Sequence, residues 1–90
     1  MKVRNMESKS RRGKAVNQFE IELDNGDRVF QSYETTIARI DKAGQVTLDR
    51  AKWDYSKTTG LYRNRFLGED KATTESKIKS GVYKLADLNA

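Results

Sequence analysis

The residues best suited to chemistry cluster at positions 50–66, which read Arg50-Ala51-Lys52-Trp53-Asp54-Tyr55-Ser56-Lys57-Thr58-Thr59-Gly60-Leu61-Tyr62-Arg63-Asn64-Arg65-Phe66. Four of the chain's eight aromatic residues fall here, with five basic residues and a single acid. Single-stranded nucleic-acid binders use this composition: aromatic faces stack bases, Lys and Arg track phosphates, and each stacked base contributes about 1–3 kcal/mol. Lys52, Lys57, Arg63 and Arg65 with Trp53, Tyr55 and Tyr62 have the composition of such a patch. The same run has a plainer reading, in which Trp53, Tyr62 and Phe66 plug the core and the basic residues are solvated around them. Tyr55 fits either role. No RNA-binding sheet signature, with aromatics at set positions on adjacent strands, is present.

A second basic feature lies at the start of the chain. Of the formal net charge of +5, all belongs to residues 1–14, where Lys2, Arg4, Lys9, Arg11, Arg12 and Lys14 face only Glu7. Residues 15–90 carry equal numbers of basic and acidic side chains. The stretch from Glu7 to Lys14 has no apolar side chain to offset the entropy of ordering, so residues 1–14 read as a flexible basic arm. Lys9, Arg11, Arg12 and Lys14 on such an arm would contact phosphates and release counterions; the alternative is a solubilising terminus, with Met1–Met6 adding a frayed first strand.

Other chemistries are excluded by residue type. Without Cys or His there is no zinc site, thiol nucleophile, disulfide framework or Ser-His-Asp triad. Asp24 and Asp27 match no calcium loop and read as turn residues. Gly13-Lys14-Ala15 lacks the upstream glycine and the following hydroxyl of a phosphate-binding loop. No spaced acidic cluster suggests acid–base or magnesium chemistry. The expectation is a non-enzymatic protein with no catalytic residue, no metal and no cofactor. No apolar run approaches the length of a membrane span or a signal-peptide core, which reads as cytosolic and without membrane contact.

The elements that position these residues follow from local patterns. Leu, Ile, Val and Phe make up only 18 of 90 residues, so nearly every one is needed for a core. Phe19, Ile21 and Leu23 alternate with Glu20 and Glu22, a half-buried strand. Asn25-Gly26 is a hairpin signal; a two-residue turn there places Leu23 opposite Arg28 and Ile21 opposite Phe30, joining Phe30 to the Phe19/Ile21/Leu23 face. Thr36–Ile40 and Val46–Leu48 flank an Asp41-Lys42-Ala43-Gly44 turn, completing a four-stranded antiparallel meander between about residues 16 and 48. Ser56 or Thr58 caps a helix over about 58–67 closed by Gly68, and Asp70 caps a shorter one closed by Gly81. Val82–Leu85 reads as a closing strand. The expected architecture is one small α+β domain over residues 15–90, a meander followed by two short helices and a last strand, preceded by the arm.

Trp53-Asp54-Tyr55-Ser56, Thr58-Thr59, Tyr62-Arg63-Asn64 and Phe66-Leu67-Gly68-Glu69 together resemble a group of small uncharacterised proteins encoded by tailed bacteriophages. Met6-Glu7-Ser8-Lys9-Ser10, Asn25-Gly26, Phe30-Gln31-Ser32-Tyr33 and the ending from Ile78 to Asn89 extend the resemblance over most of the chain. It implies a phage accessory protein acting in the host bacterial cytoplasm and carries over no functional residue. The leading expectation is a protein that engages nucleic acid or a host nucleoprotein complex through Lys9, Arg11, Arg12, Lys14, Tyr55, Lys57, Arg63 and Arg65. The alternative is a protein-directed inhibitor of a host enzyme or of an anti-phage defence complex, in the manner of an anti-CRISPR protein, using the same Trp/Tyr/Arg-rich run as an interface hot spot.

Overall fold

Alternating, β-prone segments make five consecutive strands, β1 (Lys2–Glu7), β2 (Lys14–Glu22), β3 (Arg28–Ser32), β4 (Thr35–Ile40) and β5 (Val46–Asp49). Helices α1 (Lys57–Leu67) and α2 (Lys71–Lys79) follow, and β6 (Lys84–Ala86) closes the fold. The computed structural model describes residues 1–8 and 13–89. The strands form one sheet in chain order, antiparallel throughout except for the parallel β5–β6 pair. A parallel neighbour requires a crossover of a dozen or more residues, and the segment between β5 and β6, which carries both helices, supplies it. The α+β class is as the sequence implies, with six strands in place of a four-stranded meander and one closing strand.

The additional strand is β1, inside the stretch expected to be a flexible arm. It pairs with β2 as Lys2↔Glu22, Val3↔Ile21, Arg4↔Glu20 and Asn5↔Phe19. Its charges find partners across the pair: Arg4 Nη2 donates to Glu20 Oε2 at 2.7 Å. Met6 enters the core, where it is only 8 % exposed. Lys14, also assigned to the arm, is the first residue of β2. Lys9, Arg11 and Arg12 lie outside the described residues.

The Asn25-Gly26 turn forms, but with a different register. The observed pairs are Glu22↔Arg28, Ile21↔Val29 and Glu20↔Phe30. Of the two turn residues, Gly26 takes a positive φ, +95°, and Asn25 does not. Its N–H donates to Leu23 O at 3.0 Å and Leu23 N–H donates to Asp27 O at 2.8 Å. That is a three-residue connection, a type I turn followed by a left-handed glycine, and not the two-residue type I′ turn. Asn25 instead accepts the Asp27 N–H through its side chain at 3.0 Å. A one-residue slip exchanges the faces of a strand relative to its partner. Phe19 and Ile21, expected beside Phe30, therefore lie on the opposite face of the sheet.

The core forms on the face where Phe30, Ala38, Leu48 and Leu85 stand across β3, β4, β5 and β6. Phe30, Ala38 and Leu48 expose no surface. Tyr62 and Phe66 of α1 close over them, with the Phe30 and Phe66 rings stacked at 5.9 Å between centroids. Trp53, Leu67 and Ile78 pack against this cluster half-buried. The plug reading of the aromatic run thus holds for Tyr62 and Phe66.

Both helices owe more to their ends than to amphipathicity. Ser56, not Thr58, caps α1, its Oγ accepting the Thr59 N–H at 3.1 Å. Gly68 ends it at φ +72° with its N–H on Asn64 O at 2.8 Å. Asp70 caps α2 by accepting the Thr73 N–H at 2.8 Å. Glu69, between the helices, accepts from Thr74 Oγ1 at 2.6 Å, Lys77 Nζ at 2.8 Å and the Tyr83 hydroxyl at 2.7 Å, pinning α2 to the residue before β6. At the end of β5 the buried Asp49 carboxylate accepts the backbone N–H groups of Lys52 and Leu88, each at 2.8 Å. That ties the start of the crossover to the end of the chain.

Candidate nucleic-acid interface

Helix α1 packs on the core face against Phe30 of β3, and Met6 of β1 and Ala15 of β2 join the buried cluster, leaving the charged positions of β1 and β2 beside it. The register places Arg4, Glu20 and Arg28 there beside the last turn of α1. The result is a groove of about 390 Å³ lined by Arg4, Met6, Glu7, Lys14, Arg28, Arg65 and their neighbours. Glu20 is shared between Arg4 at 2.7 Å and Arg28 at 3.3 Å, and Glu7 pairs with Lys14 at 2.5 Å. Arg65 Nη1 donates to the Glu7 backbone carbonyl, and among the described residues it forms no ion pair. Its guanidinium also lies 5.6 Å from the Tyr62 ring, and that of Arg28 lies 5.5 Å from the Phe66 ring. Four cations thus meet two carboxylates at a concave surface.

A second groove, of about 490 Å³, opens at the first turn of α1 and is lined by Tyr55, Lys57, Leu61, Arg63, Lys71 and neighbouring residues. Arg63, expected as a surface contact, is corrected to a buried residue with only 1 % of its side chain exposed. Its Nη1 donates to Trp53 O at 2.9 Å and Asp54 Oδ1 at 3.0 Å, and Nη2 donates to Asn64 Oδ1 at 2.9 Å. The guanidinium carbon lies 5.2 Å from the Trp53 ring centroid. A cation is affordable in this interior only because most of its donors are met. Tyr55 is 44 % exposed, with Lys52 Nζ 5.3 Å from its ring centroid.

Of the residues expected to bind, the structure brings Lys14 and Arg65 together in the first groove and Tyr55 and Lys57 together in the second. Arg63 forms part of the second groove's lining and otherwise serves the interior. Arg4, Arg28 and Lys71 were missed. Arg4 reaches the groove through the pairing of β1 with β2, and Arg28 by sharing the face of Phe30 along β3; Lys71 carries no pattern of its own and is drawn in by Asp54, at 2.7 Å. A third hollow, bounded by Glu34, Asp49, Lys52 and Asp87, is acidic, and its Asp49 is already occupied by backbone amides. Among the described residues no group of three or more acidic side chains is placed to hold a metal ion.

The carboxylates that hold these elements are shifted together. Burial alone would raise Asp54, Asp49 and Glu69, but hydrogen bonds outweigh it: from Lys71 and Arg63 at Asp54, from backbone amides at Asp49, and from Lys77, Thr74 and Tyr83 at Glu69. Asp27 is lowered chiefly by its hydrogen bond from Arg39. All four therefore lie below the ordinary carboxyl range in the folded protein. The unfolded chain binds more protons there, so stability rises with pH across that range. The contribution is complete above the unfolded carboxyl values of about 4 and is lost as pH falls through the lower folded values. Lys71 and Lys77, raised by hydrogen bonds to Asp54 and Glu69, and Tyr83, raised by burial and then by Glu69, act oppositely. Their share is present below about pH 10 and lost as pH rises through the folded values. Urea unfolding against pH is expected to give a plateau between these limits with a fall on either side; a curve flat down to pH 2 would contradict the pairings.

The fold is thus a six-stranded α+β sheet with both helices on one face and a cationic groove beside them. The chain belongs to a family of unknown function, DUF8033, which matches residues 1–81, from β1 through α2. No curated protein and no solved structure matches the chain. No helix among the described residues is long and apolar enough to cross a membrane.

Proposed function

We propose that this protein is a non-enzymatic accessory protein of phage origin that binds nucleic acid, free or within a host nucleoprotein complex, in the bacterial cytoplasm. The observation that carries this reading is the groove beside β1 and β2, where Arg4, Lys14, Arg28 and Arg65 outnumber Glu7 and Glu20. Lys9, Arg11 and Arg12 follow directly from Glu7 and Ser8 in sequence and add three cations. Ser8 N–H donates to Gly13 O at 2.9 Å, next to the Glu7–Lys14 ion pair. Such a surface gives salt-dependent phosphate binding without any base-specific contact.

Deleting residues 1–14 does not test this cleanly, because it also removes β1 and the buried Met6. Neutral substitutions do. In fluorescence anisotropy with labelled oligonucleotides, Lys14→Gln and Arg65→Gln are each expected to weaken binding and to flatten the dependence of log K on log salt by about 0.7–0.9. Joint replacement of Lys9, Arg11 and Arg12 by Ser is expected to flatten it by about 2–3. Unchanged slopes would assign these cations to solubility alone.

The alternative, inhibition of a host enzyme or defence complex through protein contacts, has one observation in its favour. The sheet face opposite the helices carries Val3, Phe19, Ile21 and Val29 in register, outside the core cluster, with Val3 55 % exposed. A partner held there would dissociate little with salt.

A further inference from the structure

The groove at the first turn of α1 is more than an extension of the cationic surface. Arg63 in its lining is buried, and its Nε hydrogen has no acceptor among the described residues. Asp54, the groove's one carboxylate, is engaged on both oxygens, by Arg63 at 3.0 Å and by Lys71 at 2.7 Å. Lys57 forms no ion pair among the described residues, so three cations surround one anion that is already shared. A helix start adds backbone donors and a positive end of the peptide dipoles, of which Ser56 meets the Thr59 N–H. Tyr55 supplies one half-exposed aromatic wall, with Lys52 Nζ 5.3 Å from its ring centroid on one side.

We infer that this groove is a mononucleotide subsite for single-stranded nucleic acid, the base stacking on Tyr55 and its phosphate lying between Lys57 and Lys71 above Arg63. This rests on the nucleic-acid reading and narrows it. The volume of about 490 Å³ falls within that of small-ligand sites. A base can use the Tyr55 face only when it is unstacked from its neighbours, which a single strand allows and a duplex does not. The two grooves are joined along α1: Lys57, Leu61 and Arg65 recur at intervals of four residues on one exposed face. From Lys57 to Arg65 the helix rises about 12 Å, a track along which one strand can pass from the first groove to the second.

The test compares a fluorescein-labelled ten-nucleotide oligothymidine with a labelled duplex of ten base pairs, each titrated with full-length protein at low salt. Tyr55→Ala is expected to weaken oligothymidine binding by about 5- to 150-fold, the range of one lost stacked base, and to change duplex binding less than about twofold. Tyr55→Phe, which keeps the ring, is expected to bind as the wild type does. Titration of the wild-type protein with thymidine 5′-monophosphate, read by emission of the single Trp53 beside Arg63, avoids any folding defect; saturable quenching is expected. Equal binding of oligothymidine by Tyr55→Ala and wild type, equal losses on both nucleic acids, or absence of quenching would overturn the subsite while leaving the proposed function standing. Failure of the wild-type protein to bind either nucleic acid would overturn both.

Discussion

Arg63→Ala is expected to lower the unfolding free energy by about 2–5 kcal/mol, the range for leaving a buried acceptor unmet and emptying an interior side-chain volume. The substitution deletes a side chain that is 1 % exposed and leaves the Trp53 carbonyl and the Asn64 side chain without their donor. It also removes the cation stacked 5.2 Å from the Trp53 ring. Asp54 retains Lys71, so the loss is set by the unmet carbonyl and the emptied volume more than by a stranded carboxylate. Arg63→Met fills much of the space without the charge and should cost less than Ala. Arg63→Lys keeps the charge but not the planar fork that reaches Trp53, Asp54 and Asn64 together, and should recover only part of the stability. Urea denaturation followed by Trp53 emission measures all three. A loss below about 1 kcal/mol for Arg63→Ala, the level of an exposed ion pair, would mean that the guanidinium is solvated and not interior.

Phe30→Ala is expected to cost a further large sum, about 3–5 kcal/mol. Phe30 has no exposed surface, stacks on Phe66 at 5.9 Å and sits opposite Ala38, a residue too small to fill the space. With so few large apolar residues in the chain, nothing nearby can repack, and small domains hold little reserve. Phe19→Ala provides the contrast. Phe19 is half-buried on the opposite face, outside the core cluster, so its removal should cost clearly less. Had the two-residue turn at Asn25-Gly26 been correct, both residues would share one core face and the two substitutions would cost alike. Comparable losses at Phe19 and Phe30 would therefore contradict the observed register.

That register marks the boundary of what residue patterns convey here. Turns and caps are local, and Asp41–Gly44, Ser56, Gly68 and Asp70 are legible because each satisfies its own backbone groups within a few residues. The Asn25-Gly26 turn is legible as a turn, yet its length depends on whether Asn25 adopts a positive φ or binds the Asp27 N–H. The pattern around it is compatible with both. The two-residue link between β3 and β4 uses Tyr33 at φ +56°, a position that favours glycine, and carries no glycine to announce it. Strand β1 is legible only as a frayed alternative over Met1–Met6, because its charges, read in isolation, look solvated, whereas Arg4 meets Glu20 from a strand sixteen residues away. The same nonlocality hides the site. Lys14 and Arg65 are far apart in sequence and reach one groove only through the pairing of β1 with β2. Arg63 looks like every other basic residue of its run until Trp53 and Asp54 close around it.

The separation of the cations into two grooves changes what the aromatic run does. Tyr62 and Phe66 build the core and hold Arg65 and Arg28 over their rings, while Tyr55 is the half-exposed ring of the run, with Lys52 over one side of it. Affinity on this account comes mostly from phosphates, and specificity for strandedness from one ring.

The most direct test is the salt dependence of binding between the full-length protein and a labelled single-stranded oligonucleotide. With four or more phosphates contacted, a plot of log K against log salt should fall with a slope of about −3 or steeper, at roughly −0.7 per contact on single strands. No binding at low salt, or binding with a slope near zero, would contradict a phosphate-tracking surface and turn attention to a protein partner on the sheet face where Val3 stands exposed beside the half-buried Phe19 and Ile21.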